Sequence, residues 1–125
     1  MTRFLVATDS VHTTAAACDY LAGRLSAGDS VHALAVVEPG ADDRDADDAL
    51  NVAAARLGAI ATVETEAREG TPAEVVLDAA STVDEVVIGA RSGRPGADAG
   101  VGSTARRLLV EATVPIVVVP LPRLD

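Results

Sequence analysis

Apolar segments of two kinds alternate along the chain, and this alternation limits the fold more than any other feature of the sequence. Short β-branched or alternating runs fall at residues 4–7, 31–37, 61–67, 83–88 and 116–119. Between them lie stretches whose apolar residues recur every three or four positions. Ala46, Ala49, Leu50, Ala53 and Leu57 form one such stripe, Ala73, Val76, Leu77 and Ala80 another, and Ala105, Leu108, Leu109 and Ala112 a third. A period near two followed by a period near 3.6, repeated, is the pattern of β-α-β units. It predicts an α/β fold with an open parallel five-stranded sheet and helices on both faces. Val86-Val87-Ile88 and Ile116-Val117-Val118-Val119 are unbroken β-branched runs, as strands covered on both faces require. Ala61, Val63, Thr65 and Ala67 alternate with Thr62, Glu64, Glu66 and Arg68, so that strand is expected near an edge with one face in water.

Helix boundaries are marked by local chemistry. The first helix is expected over about residues 13–25, before Ser26-Ala27-Gly28-Asp29. In Thr71-Pro72-Ala73-Glu74, Thr71 can cap, Pro72 suits the first helical position and Glu74 can complete a capping box. The last helix should stop near Val114, because Pro115 disfavours helix in the residue before it. Asp42, Asp43, Asp45, Asp47 and Asp48 crowd the second helix start, where carboxylates favour the positive end of the helix dipole. They lack the alternation, central glycine and closing glutamate of a calcium loop, and are expected to be a solvated helix start.

At 125 residues the chain is expected to form one domain, spanning residues 1–125. Nineteen acids face ten bases, all arginine, for a formal charge of −9. That balance argues against a nucleic-acid partner, which would need a basic patch. Acid excess with no lysine suggests a halophilic source, in which salt screens the self-repulsion, although mutational bias alone could give arginine for lysine. Cys18 alone can form no intramolecular disulfide and should pack as a small apolar residue. The opening apolar run is too short for a signal peptide or a bilayer span, so a cytoplasmic protein without membrane insertion is expected. His12 and His32 are expected to be solvated and form no metal cluster.

Ligands of open α/β sheets bind beyond the carboxyl ends of the strands. Two loops there carry candidate chemistry. Ala7-Thr8-Asp9-Ser10 places a carboxylate and two hydroxyls at the tip of the first strand, where Asp9 can serve a ligand or only the local turn. The loop from Gly89 to Thr104 has five glycines within fourteen residues and re-enters a helix at Gly102-Ser103-Thr104. Backbone N–H groups, the positive helix end and two hydroxyls there suit a phosphate, and Arg91 and Arg94 can add charge. An ordinary surface loop with Ser103 or Thr104 as a helix cap fits the same residues. No lysine exists for a Walker loop, and the first strand is not followed by a dinucleotide glycine fingerprint.

Taken together, these segments resemble the universal stress protein family. The resemblance lies in Phe4-Leu5-Val6-Ala7-Thr8-Asp9-Ser10, Leu34-Ala35-Val36-Val37-Glu38-Pro39, Gly70-Thr71-Pro72 and Pro115-Ile116-Val117-Val118-Val119. Gly89, two residues, Ser92, nine residues and Gly102-Ser103 keep the spacing of that family's nucleotide-binding signature, with serine for its second glycine. The resemblance implies a strand order of 3-2-1-4-5, which would bring the two loops into one crevice. It implies ATP as ligand, with Mg or Mn on the phosphates. Ala7, Asp9 and Val36 match positions that contact adenosine, with Thr8 beside them, and Ile88 and Gly89 match their neighbours on the fourth strand. Ser92, Gly102, Ser103 and Thr104, flanked by Arg91, match positions that hold ribose and phosphates. A homodimer paired through Ile116–Val119 is also implied, acting as a stress-response or regulatory module. Ser92 keeps open the family's other branch, a protein-interaction module without nucleotide. No nucleophile and base stand at recognisable spacing, so any ATP hydrolysis would be slow or partner-dependent.

Overall fold

In a computed structural model describing residues 1–40, 43–90 and 102–121, strands and helices alternate throughout. The elements are β1 (Arg3–Thr8), α1 (Val11–Ala22), β2 (Ser30–Val37), α2 (Arg44–Leu57), β3 (Thr62–Glu69), α3 (Pro72–Ala80), β4 (Glu85–Gly89), α4 (Ser103–Glu111) and β5 (Ile116–Val119). All five strands are parallel, in the order β3-β2-β1-β4-β5. The chain thus reverses its direction of travel across the sheet between β1 and β4, the switch point at which ligands of such folds bind.

Two apolar layers sandwich the sheet. On one face Leu5, Ala7, Leu34, Val86 and Ile88 pack with Val75, Val76, Ala79, Ala105 and Leu108 of α3 and α4. On the other, Phe4, Val6, Val31 and Val87 meet Ala17, Cys18 and Leu21 of α1, while Ala33, Ala35 and Val37 meet Ala46, Leu50 and Ala53 of α2. The α2 stripe is buried at every position named from its periodicity. In α4 the stripe is narrower: Ala105 and Leu108 are buried, but Leu109 is 54% exposed, because this helix lies at the flank of the sheet.

Several boundaries differ from the sequence expectation for local reasons. α1 begins at Val11 rather than Thr13, because the Ser10 side chain caps it and accepts from the Thr13 N–H at 3.2 Å. It ends at Gly23, not Leu25. α3 begins at Pro72 as expected with Thr71 at the cap position, but the Thr71 side chain makes no capping bond, and the Val75 N–H instead meets the Thr71 carbonyl at 3.0 Å. α4 ends at Glu111 on an Ala112 already in extended backbone. Val83 precedes β4 and packs only partly buried against the core. β4 is covered on both faces, but the similar run in β5 lies at the sheet edge with Ile116, Val117 and Val118 half-buried. β3 forms the other edge, and its alternation is inverted toward its end. Thr65 and Ala67 are exposed, whereas Glu66 and Arg68 are half-buried, drawn inward by a charge network described below.

Candidate functional site

β1 and β4 run side by side with Val6 opposite Val87, so the loops that follow them leave the same edge of the sheet. A web of hydroxyls fixes the first loop. Thr8 is 5% exposed and its Oγ1 donates to the Ser10 carbonyl at 2.9 Å, while the same oxygen accepts from the Ser10 N–H at 3.3 Å and the Thr14 hydroxyl at 2.8 Å. The Thr13 hydroxyl donates to Asp9 Oδ1 at 3.3 Å, and the Ser10 hydroxyl donates to Thr13 Oγ1 at 3.0 Å. Thr13 and Thr14 are both buried on α1. The half-buried Asp9 is therefore tied at the strand tip to the Thr13 hydroxyl of the following helix turn. Sequence reasoning missed Thr13 and Thr14; their signal was a second pair of hydroxyls one helical turn beyond Ser10.

Across the tip, Ile88 is buried and Gly89 half-buried, and the Ala90 N–H closes onto the Val119 carbonyl at 2.9 Å. Arg91 and Ser92 lie outside the described residues. The chain re-enters at the exposed Gly102 with φ +90°, backbone that favours glycine, and α4 starts at the exposed Ser103 and half-buried Thr104. Among the described residues no side chain caps this helix, and Ser103 and Thr104 do not act as the caps that sequence allowed; the first-turn amides of a helix have no intrahelical partners. Ala105, one turn in, shares a buried cluster with Ala7 and Ile88, and Val36 packs against that cluster half-buried. Of the expected site residues, Ala7, Val36 and Ile88 thus converge on one cluster with the first turn of α4, and Thr8, Asp9 and Gly89 continue the strands above it.

β2 extends past the tip of β1. Thr8, the last residue of β1, pairs with Ala35, leaving Val36 and Val37 to overhang it, flanked by Arg68 and Glu69 of β3. Beside Val36 runs a chain of charges. His32 Nε2 lies 2.9 Å from Glu66 Oε1, Arg68 donates from Nε and Nη2 to Glu66 at 3.0–3.1 Å, and Arg68 Nη1 donates to Asp78 of α3 at 3.0 Å. Partial burial raises the Glu66 pKa, but the Arg68 guanidinium and His32 outweigh it and hold the carboxyl below its ordinary value. His32 is thus half-buried and partnered rather than solvated.

Elsewhere, Cys18 is buried as expected. Burial pushes its thiol up, outweighing Arg56, which the fold brings near through its pair with Asp19. Among the described residues no group of three or more His, Cys, Asp or Glu could hold a metal ion. None of their helices is long and apolar enough to cross a membrane.

The model for the universal stress protein family matches residues 1–120. Among solved structures, the chain is similar to hypothetical protein MJ0577, with 16% identity over 98% of each chain and a TM-score of 0.81. It is also similar to universal stress protein UspA from Lactobacillus plantarum, with 22% identity over 94% of this chain and 97% of that one, at a TM-score of 0.73. A universal stress protein in complex with cAMP is 19% identical over 97% and 98% of the two chains, at a TM-score of 0.71. No curated protein matches the sequence.

Proposed function

The chain belongs to the universal stress protein family, and from that premise we propose that it binds ATP and acts as a homodimeric stress-response or regulatory module. The observation that carries this reading is the start of α4: a helix without a side-chain cap among the described residues, entered through a positive-φ glycine and packed through Ala105 onto the tips of β1 and β4. First-turn N–H groups and the helix dipole suit an anion, and Gly102 has no Cβ to hold it off. The hydroxyls of Ser103 and Thr104 add donors to phosphate. Asp9 supplies an acceptor for the nucleoside, and the overhanging Val36 an apolar surface for its base. The donor set therefore fits an adenine nucleotide, the class to which the cAMP bound by one structural neighbour belongs. Mg or Mn would arrive on the triphosphate, whose oxygens suit such hard cations.

Homodimerisation through Ile116–Val119 is part of the same proposal. β5 is an edge strand of four β-branched residues without a charge, and Leu109 and Val110 of the neighbouring α4 are 54% and 84% exposed. An apolar edge of this kind is a template for another strand. Binding itself is the output in this reading, and a protein-interaction module without nucleotide is the second reading, favoured by Ser92 in place of a signature glycine.

Isothermal titration in high salt tests the first reading directly. Saturable ATP binding is expected from the wild type and none from Gly102→Val, whose branched Cβ would occupy the phosphate approach. ATP binding at full affinity by a folded Gly102→Val protein overturns the loop assignment. No binding by the wild type, with no nucleotide recovered from freshly purified protein by mass spectrometry, selects the second reading.

A further inference from the structure

The two adjacent threonines of α1 use their hydroxyls differently. Thr14 Oγ1 donates to the Ser10 carbonyl four residues back at 3.0 Å, the usual partner of a threonine inside a helix. Thr13 stands in the same relation to Asp9, yet its hydroxyl donates to the Asp9 side chain, at Oδ1 and 3.3 Å. The direction of that proton is fixed from behind. The Thr13 N–H donates to Ser10 Oγ at 3.2 Å, and the Ser10 hydroxyl donates to Thr13 Oγ1 at 3.0 Å, which leaves the Thr13 hydrogen aimed at the carboxylate. Hydroxyls that accept one bond and donate the next reinforce each other. Thr13 is 3% exposed, so water scarcely competes for its hydroxyl, whereas Asp9 is half-buried at the strand tip.

An acceptor that is already ordered in the free protein loses less freedom when a ligand arrives. We infer that Thr13 is a positioning residue of the nucleotide site, its hydroxyl holding Asp9 Oδ1 so that the carboxylate meets the nucleoside in one orientation. This rests on the nucleotide reading, in which Asp9 is the acceptor for the nucleoside. Thr13 acts through Asp9 and not on the ligand. A purely structural role, tying the tip of β1 to α1, would register in stability and leave affinity unchanged.

A double-mutant cycle separates the two roles. AMP and ATP are titrated calorimetrically into the wild type, Thr13→Val, Thr13→Ser, Asp9→Ala and the Asp9→Ala/Thr13→Val double variant, with thermal unfolding as the check on folding. Freeing one side chain that binding must then order predicts about fivefold weaker binding by Thr13→Val. The factor should be the same for AMP and ATP, because the loss lies at the nucleoside and not at the phosphates. Thr13→Ser, which keeps the hydroxyl, should bind as the wild type does. Once Asp9→Ala has removed the carboxylate, adding Thr13→Val should weaken binding no further. Thr13→Ala carries the same comparisons should Thr13→Val fail to fold. Wild-type affinity in a folded Thr13→Val protein, or the same loss with and without Asp9, overturns the assignment while leaving nucleotide binding intact. A folded wild type that binds neither nucleotide overturns the nucleotide reading itself, and this assignment with it.

Discussion

The hydroxyl web at the β1 tip makes a quantitative claim that Thr8→Val can test. Valine matches threonine in shape and suits a strand, so the change isolates the hydroxyl at a site 5% exposed. Three hydrogen bonds vanish, but not all of their partners are orphaned. The Thr14 hydroxyl lies 3.0 Å from the Ser10 carbonyl and can turn to it, and that carbonyl also keeps the Thr14 N–H at 3.1 Å. Only the Ser10 N–H is left without its partner, in a half-buried position. One net hydrogen bond at about 1 kcal/mol and one underpaired donor at about 1–2 kcal/mol give a loss of about 2–3 kcal/mol.

Thr14→Val removes less. It deletes one donor at a fully buried site, while Thr8 still donates to the Ser10 carbonyl and accepts from the Ser10 N–H, so about 1 kcal/mol is expected. Unfolding entropy of about 2.1 cal/mol/K per residue converts these losses to falls in Tm of about 8–12 °C for Thr8→Val and about 4 °C for Thr14→Val. Calorimetry on both variants and the wild type in one buffer reads the difference. A Thr14→Val shift equal to or larger than that of Thr8→Val would refute Thr8 as the centre of the web.

Other residues give sharper but simpler outcomes. Asp29 accepts from the Ser26 and Thr2 N–H groups at 2.9 and 2.8 Å, and these bonds hold its carboxyl below the ordinary aspartate range. Its stabilisation is complete above the unfolded value near pH 3.9 and is lost as pH falls through the folded value, so Asp29→Asn should flatten the acid limb of a Tm-against-pH curve below about pH 4. Leu108→Ala deletes a fully buried side chain from the α3 and α4 layer and should cost about 3–5 kcal/mol by chemical denaturation; less than 1 kcal/mol would mean that α4 does not pack as described. Val110→Glu alters a side chain 84% exposed, so stability should move by less than about 0.5 kcal/mol while self-association weakens in sedimentation velocity. Unchanged association would take α4 out of the interface.

Periodicity made the architecture legible because each buried stripe or run answers directly to one layer. The α2 stripe from Ala46 to Leu57 and the run Val86-Val87-Ile88 are buried as their spacing requires. Where a residue's partner lies far along the chain, spacing is silent. Arg68 and Glu66 read as the wet face of an edge strand, and nothing local signals that Asp78 and His32 would draw them inward. Thr13 and Thr14 stood only at the expected start of a helix, and the turn at Ser10 buries both. Leu109 shows the converse: its spacing fits the α4 stripe, but at the flank of the sheet it is left 54% exposed.

The two sheet edges differ in one respect that bears on assembly. β3 carries Glu64, Glu66, Arg68 and Glu69 among its eight residues, and such charges discourage the addition of a further strand. β5 carries none in four. Pairing is therefore expected at β5 and not at β3, and it must work against the formal charge of −9 on each copy. Short-range apolar burial is barely screened by salt, whereas repulsion between whole acidic surfaces is, with a Debye length of about 10 Å at 0.1 M and about 3 Å at 1 M. The dimer should therefore tighten as salt rises, seen in sedimentation equilibrium as a dissociation constant falling steadily from 0.1 to 1 M KCl. Association that weakens over that range would mean that ion pairs, not the apolar β5 edge, hold the copies together.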